Sequence, residues 1–211
     1  MPQRRRHQIG WFCRVLTNFS VLAGLFLALS FSIIACARKD VGELAREQPQ
    51  FVLEEFFAGE SVAYGVFEDR FGNLRRQFRV NLSGEWDGNK LVLNEEFLYD
   101  DGEYATRTWT IDRLERDASG AVAYQGKAVD VKAAAYGKQV GNALNWQYDI
   151  TLKMSGVGID VHFDDWIYQQ DEDIAINRAF VTKLGVEIGS VTIVFIRGKT
   201  ASLLGPLQLD E

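Results

Sequence analysis

From Phe78 onward the chain alternates. Phe78, Val80, Leu82 and Trp86 fall on even positions with Arg79, Asn81 and Ser83 between them, the period-two pattern of a half-buried strand. The pattern recurs in Leu91, Leu93, Phe97 and Tyr99, in Leu144 to Leu152, in Ile159, Val161, Phe163 and Ile167, and in the Val191 to Ile196 run. Turn chemistry separates these runs at Arg70-Phe71-Gly72-Asn73, Asp87-Gly88-Asn89, Asp100-Asp101-Gly102, Ser119-Gly120, Ser155-Gly156 and Lys183-Leu184-Gly185. Such Gly, Asn and Asp positions supply the positive φ of tight hairpins. The spacing predicts an all-β, antiparallel, up-and-down sheet of about ten strands. Closure into a barrel is the expected architecture, because hairpins succeed one another and no long crossover is available. A sandwich is the alternative. A short helix is expected within Pro49 to Phe57, and nothing after residue 57 sustains a helical period.

The first 36 residues follow a different logic. A basic, acid-free opening, MPQRRRHQIGWFCR, leads into an uncharged apolar run ending Ile33-Ile34-Ala35-Cys36. This is the order of a secretory signal, and its end has the form of a bacterial lipobox. A small residue sits before the cut, and a thiol follows to receive the diacylglyceryl group. Cys36 is therefore the expected lipidation site, anchoring the protein to a membrane. The alternatives are a retained membrane helix, since Phe19 to Ala35 approaches the roughly 20 apolar residues that spanning needs, and cleavage by the ordinary signal peptidase without lipidation. Ala37 stands where inner-membrane retention commonly shows Asp, which points to the outer membrane, facing the periplasm.

Charge changes meaning once this segment is set apart. The chain carries 23 Lys and Arg against 29 Asp and Glu; four of the arginines lie within residues 1–35, leaving 19 against 29 and a balance of −10. An acidic body argues against a nucleic-acid partner, because phosphate binding requires clustered cations. With 47% apolar and 12% aromatic residues the chain has ample material for one core. The two cysteines are Cys13 and Cys36, so the body after residue 36 has no thiol chemistry and no disulfide.

Several stretches taken in order resemble a known family: FVLEEFFAGESVAYGVFEDRFGNLRRQFRVNLSGEWDGN, LNEEFLYDDGE, GNALNWQYDITL, VHFDDWIYQQDEDIAINRA and KLGVEIGSVTIVF. Together they are similar to the bacterial lipoproteins of domain-of-unknown-function family 3833 over roughly residues 50–197. The resemblance implies an envelope lipoprotein with a lipocalin-like sheet and no assigned activity. It also implies an association with lipid handling, since members are often encoded beside enzymes of membrane fatty-acid modification. The expected organisation is a signal peptide at 1–35, a polar tether at 36–50, a barrel at 51–197 and an unstructured tail at 198–211.

Candidate chemistry is sparse. His162, the single histidine of the body, shares a strand face with Asp164, Trp166 and Tyr168, while Val161, Phe163, Asp165 and Ile167 share the other. His162 with Asp164 has the composition of a general base and its orienter. No nucleophile motif accompanies it, and a solvated strand face explains it as well. The carboxylates at Asp164-Asp165 and Asp171 to Asp173 lack calcium-loop spacing, so no metal and no cofactor are expected. Cations and amides beside aromatics, as in Asn177-Arg178 and in Arg107 near Trp109, would suit an amphiphile's headgroup. The candidate ligand-binding set is thus Arg107, Trp109, Asn145, Trp146, His162, Asp164, Trp166 and Arg178, with ordinary strand packing as the plain explanation for each tryptophan. The expected function is to bind or carry a fatty-acyl or other apolar molecule inside the barrel. A passive envelope-assembly module and a lipid-modifying enzyme using His162 and Asp164 are the alternatives.

Overall fold

The computed structural model describes residues 40–209, apart from residue 119 and residues 155 and 156. The signal segment and Cys36 lie outside the described residues. From Val41 on, the chain forms one compact unit.

Ten strands make up the body: β1 (Gly59–Asp69), β2 (Leu74–Trp86), β3 (Lys90–Tyr99), β4 (Tyr104–Arg116), β5 (Val122–Lys127), β6 (Ala135–Val140), β7 (Ala143–Met154), β8 (Val157–Gln169), β9 (Ile174–Lys183) and β10 (Val186–Arg197). Each pairs antiparallel with its sequence neighbours, and β1 also pairs with β10, Ala63 facing Phe195 and Gly65 facing Ile193. The sheet is therefore a closed, up-and-down, lipocalin-like barrel, which leaves no edge strand unpaired. Register shifts between Phe67 and Glu68, Arg113 and Arg116, and Glu187 and Gly189 lie near strand ends. Extra residues there let the sheet bend without disturbing the ladder between them.

Closure fixes which parity looks inward. On β3 it is Leu91, Leu93, Glu95, Phe97 and Tyr99; on β8 it is Val161, Phe163, Asp165 and Ile167. The apolar periods of the sequence are the inner faces of the barrel.

One end is stoppered from within the chain. Helix α1 (Leu53–Phe57) brings Phe56 and Phe57 against Phe51, with ring centroids 5.5 Å apart for Phe51 and Phe56 and 5.1 Å for Phe56 and Phe57. Phe57 then meets Phe195 of β10 edge-on at 5.2 Å. The approach needs a glycine: a Cβ at Gly84 of β2 would stand 1.8 Å from the Phe57 carbonyl oxygen. Glu54 of α1 is buried, and it is held by an ion pair with Arg113 and by the Tyr124 hydroxyl, which donates to Oε2 at 2.7 Å. A buried carboxylate persists only when it is paired in this way.

Two boundaries differ from the sequence reading. The segment read as a polar tether begins to pack at Val41: a 3-10 turn, Val41–Leu44, buries Val41 against Ala143 and Trp166 on the outer wall. Two apolar residues in a polar stretch suffice for this, because a neighbouring strand offers an apolar outer patch. The segment read as an unstructured tail forms helix α2 (Gly198–Leu204), with Ala201 buried and the Thr200 hydroxyl donating to Asp173 at 2.8 Å. Beyond it, the Leu207 amide and carbonyl both bond the Asn81 side chain.

The stopper is a core element. Phe56→Ala is expected to cost about 3–5 kcal/mol, read as a lower urea midpoint with unchanged slope; a loss below roughly 1 kcal/mol would show that α1 is dispensable to the barrel.

Candidate functional site

Above the stopper the barrel is hollow. The chamber has a volume of about 670 Å³ and draws its lining from α1 and from every strand except β5 and β6. Leu93, Trp109, Leu144 and Trp146 surround its deeper part, and Phe67, Phe78, Phe97 and Phe163 surround the part nearer the opposite end. Strands β5 and β6 contribute by receding. A Cβ on Gly126 or Gly137 would stand 2.4 Å from the Trp146 ring, so the two glycines make the slot that the indole fills. Trp109 packs edge-on against both Trp146 and Tyr148, at 5.6 and 5.3 Å.

Across this apolar space runs a belt of polar side chains: Glu95 on β3, Arg107 on β4, Tyr148 on β7, Asp165 on β8 and Asn177 on β9. Glu95 and Arg107 face each other in register. Arg107 turns its Nε and Nη2 to Asp130, donating to Oδ2 at 3.0 and 2.7 Å. Asn177, only 2% exposed, donates through Nδ2 to Asp165 Oδ1 at 2.6 Å. The remaining oxygens are left over: Glu95 Oε2, Asp165 Oδ2 and Asn177 Oδ1 are enclosed and have no hydrogen-bond partner. Enclosed polar atoms without partners are uncommon in native proteins and call for a reason.

Electrostatics follows from the enclosure. Burial pushes the Glu95 carboxyl up to about 7, against the pull of the nearby Arg107. Burial likewise pushes Asp165 up to about 6, against the Asn177 amide. Tyr148 is raised well above its ordinary range by burial and by the charge of Asp165. Burial works against the Arg107 cation, but Tyr148, Glu95 and Asp130 outweigh it and raise its pKa.

The far end, between the β1–β2, β3–β4 and β9–β10 turns, is the mouth. Arg76 lies over the Tyr99 ring, 3.6 Å from its centroid, and donates to Asp101 at 2.8 Å and Glu103 at 2.6 Å. Asp69 accepts from Asn73 and Arg75 at the adjacent turn, and these bonds hold its pKa well below the usual carboxylate range. The turns also present bare apolar side chains: Phe71 is 75% exposed and Leu184 is 96% exposed.

Of the residues singled out from sequence, the structure brings three to the chamber: Arg107, Trp109 and Trp146. The other five point away from it. On β8 the inward parity belongs to Asp165, so His162, Asp164 and Trp166 lie on the outer wall. Asp164 accepts from Asn145 at 2.6 Å and from Gln147 at 2.9 Å on that wall. Trp166 is buried there beneath Val41. Arg178 is exposed and lies over the outer ring of Phe180. Nor does His162 pair with Asp164: Asp149 is its cross-strand partner on β7, and the His162 Nδ1 to Asp149 Oδ1 distance is 2.9 Å. Glu95 was not singled out, Asp165 only as a carboxylate beside Asp164, and Asn177 only as an amide next to Arg178. Their signal is a single polar residue on an otherwise apolar strand face. Among the described residues no group of His, Cys, Asp and Glu side chains is arranged to hold a metal ion.

The model of a family described as "Protein of unknown function (DUF3833)" matches residues 30–197. Among solved structures, an S-type phycobiliprotein lyase from Guillardia theta is similar, with a TM-score of 0.52 and 11% identity over 71% of this chain and 94% of that one. That likeness is one of fold. No curated protein matches the chain.

The two raised carboxyls make stability depend on pH in a definite sense. The folded barrel keeps protons that the unfolded chain gives up, so this contribution is full at low pH and is lost as pH rises through the folded pKa. Glu95→Gln carries no such proton. Its stability relative to the parent protein is expected to rise by roughly 1–3 kcal/mol between about pH 4.5 and 7. Parallel urea titrations across that window check it, and a constant difference would mean that Glu95 is not held protonated by the fold.

Proposed function

The chain belongs to the DUF3833 family, and from a barrel stoppered at one end and hollow above it we propose that the protein binds and carries a small apolar or amphiphilic molecule of fatty-acyl type. The observation that carries this reading is the chamber. Small-molecule sites are concave, mostly apolar and roughly 300–1,000 Å³ in volume, with a few convergent polar groups that orient the guest. A space of about 670 Å³ walled by aromatic and aliphatic side chains, with one polar belt, has that composition. The stopper supports the same reading, because it spends three phenylalanines on closing one end while leaving the chamber unfilled. The bare apolar side chains around the mouth would let an apolar guest pass between the chamber and another apolar environment.

The envelope location is part of the proposal and rests on the sequence. Lipidation at Cys36, with removal of residues 1–35, would hold the carrier at a membrane surface, probed by feeding cells a labelled fatty acid and by the mass of the purified protein. The label is expected on a parent protein that begins at Cys36, and it is expected to be lost in Cys36→Ala. A parent protein that takes up no label and still carries residues 1–35 would favour a spanning helix instead.

The carrier reading itself is checked by extraction and mass spectrometry of protein purified from cells without denaturation. An apolar or amphiphilic compound is expected at close to one equivalent. Val191→Trp, which fills the chamber from β10 without touching the stopper, is expected to lower that amount by roughly tenfold while costing about 1–3 kcal/mol of stability. An extract free of such a compound, together with no thermal stabilisation by added amphiphiles, would contradict the reading.

A further inference from the structure

The polar belt has a direction that the chamber's overall apolarity hides. Below the mouth, the enclosed chamber-wall atoms without a partner, among the described residues, are oxygens: Glu95 Oε2, Asp165 Oδ2 and Asn177 Oδ1. The one unpartnered donor on the wall, Arg76 Nε, belongs to the rim, where the same guanidinium is already bound to Asp101 and Glu103. The donors of the belt are engaged by its own acids: Arg107 directs Nε and Nη2 to Asp130, the Tyr148 hydroxyl turns to Asp165, and the Trp109 indole N–H turns to Glu95. Nor can the Asn177 amide simply turn over to present its N–H groups to the chamber. Its Nδ2 is fixed by the 2.6 Å bond to Asp165, and a flip would set two oxygens against each other whenever that carboxylate is ionised.

The charge of the belt agrees with its hydrogen-bonding character. With Glu95, Asp130 and Asp165 ionised against Arg107, the set carries a net negative charge in a space where charges are weakly screened. A guest's carboxylate seated on Asp165 and Asn177 would add a fourth anion beside two unpartnered oxygens that have nothing to donate.

We propose that the belt is a headgroup site for an amphiphile whose polar end donates hydrogen bonds, such as a hydroxyl, amide N–H or ammonium group, and that it discriminates against a carboxylate. The inference rests on the carrier reading and narrows its guest. The donor end sits on Asp165 and Asn177, opposite Glu95, while the chain occupies the aromatic part of the chamber. The raised pKa values of Glu95 and Asp165 have the sense expected of acids that lack this donor.

The unit from Val41 on contains all ten strands, the stopper and the core, so it holds everything that closes the barrel and is the form to use. Stripped of bound lipid, it is titrated calorimetrically with dodecan-1-ol, dodecylammonium and dodecanoate, each below its micellar concentration. At about pH 8, where the belt acids are ionised, the alcohol and the ammonium are expected to bind roughly tenfold or more tighter than dodecanoate. The double variant Asp165→Leu, Asn177→Leu replaces both partners by apolar groups of similar size, a change that a core commonly tolerates. It is expected to reduce that lead to within roughly threefold. Glu95→Gln keeps the local shape and supplies the same comparison if the double variant is unstable: the lead of the ammonium over dodecanoate is expected to shrink. Equal or tighter binding of dodecanoate overturns the donor site and leaves the carrier standing. A lead that persists unchanged in the folded variants overturns the assignment to this belt. Binding of none of the three probes overturns the carrier reading, and the donor site with it.

Discussion

The pairing of β1 with β10 is the constraint from which the rest follows. Joining first strand to last turns a succession of hairpins into a ring, and a ring has an inside. Each strand must then commit alternate residues to that inside, because a slip of one residue would exchange its two faces entirely. Ten inward faces can meet in the middle or stand apart around a space. Here they stand apart, since Gly126 and Gly137 draw two strands back behind Trp146 while the three phenylalanines of the stopper are gathered at one end.

A hollow of this kind changes the value of every polar atom on its wall. On the outer face Asp164 shares its charge with the amides of Asn145 and Gln147. Asp165, the next residue, faces the chamber, where burial raises its pKa and leaves one oxygen without a partner. Uncompensated burial of such groups costs free energy. The stopper shows that this chain can satisfy a buried acid when nothing else is asked of it, for Glu54 has both Arg113 and Tyr124. The contrast between the completed Glu54 network and the incomplete belt is what gives the belt its functional meaning.

The fold was legible because it depends on a period. Alternation in Phe78 to Trp86 and Leu144 to Leu152, with turns of the right chemistry between, marks strands whatever their partners, and unbroken hairpins leave few topologies. The site was less legible because it depends on the sign of the parity. The pattern of Val161 to Tyr168 showed two faces without showing which one was inner, and the polar face, with His162 and Asp164, drew attention that belonged to the lone acid on the apolar face. Glu95 among leucines and phenylalanine, and Asn177 between alanines, carry the same mark: a polar residue that breaks an apolar face. Contacts between distant segments had no local signal. Asp149 beside His162, Asp130 reaching Arg107 from a loop, and Val41 covering Trp166 each follow from how the ring closes.

The most direct test of the account is a crystal structure of the protein purified from cells without denaturation, examined inside the barrel. The account expects elongated density among Phe78, Phe97, Trp109 and Phe163, with one end within hydrogen-bonding distance of Asp165 and Asn177. Side chains collapsed across the middle of the barrel, so that no space for a guest remained, would contradict it.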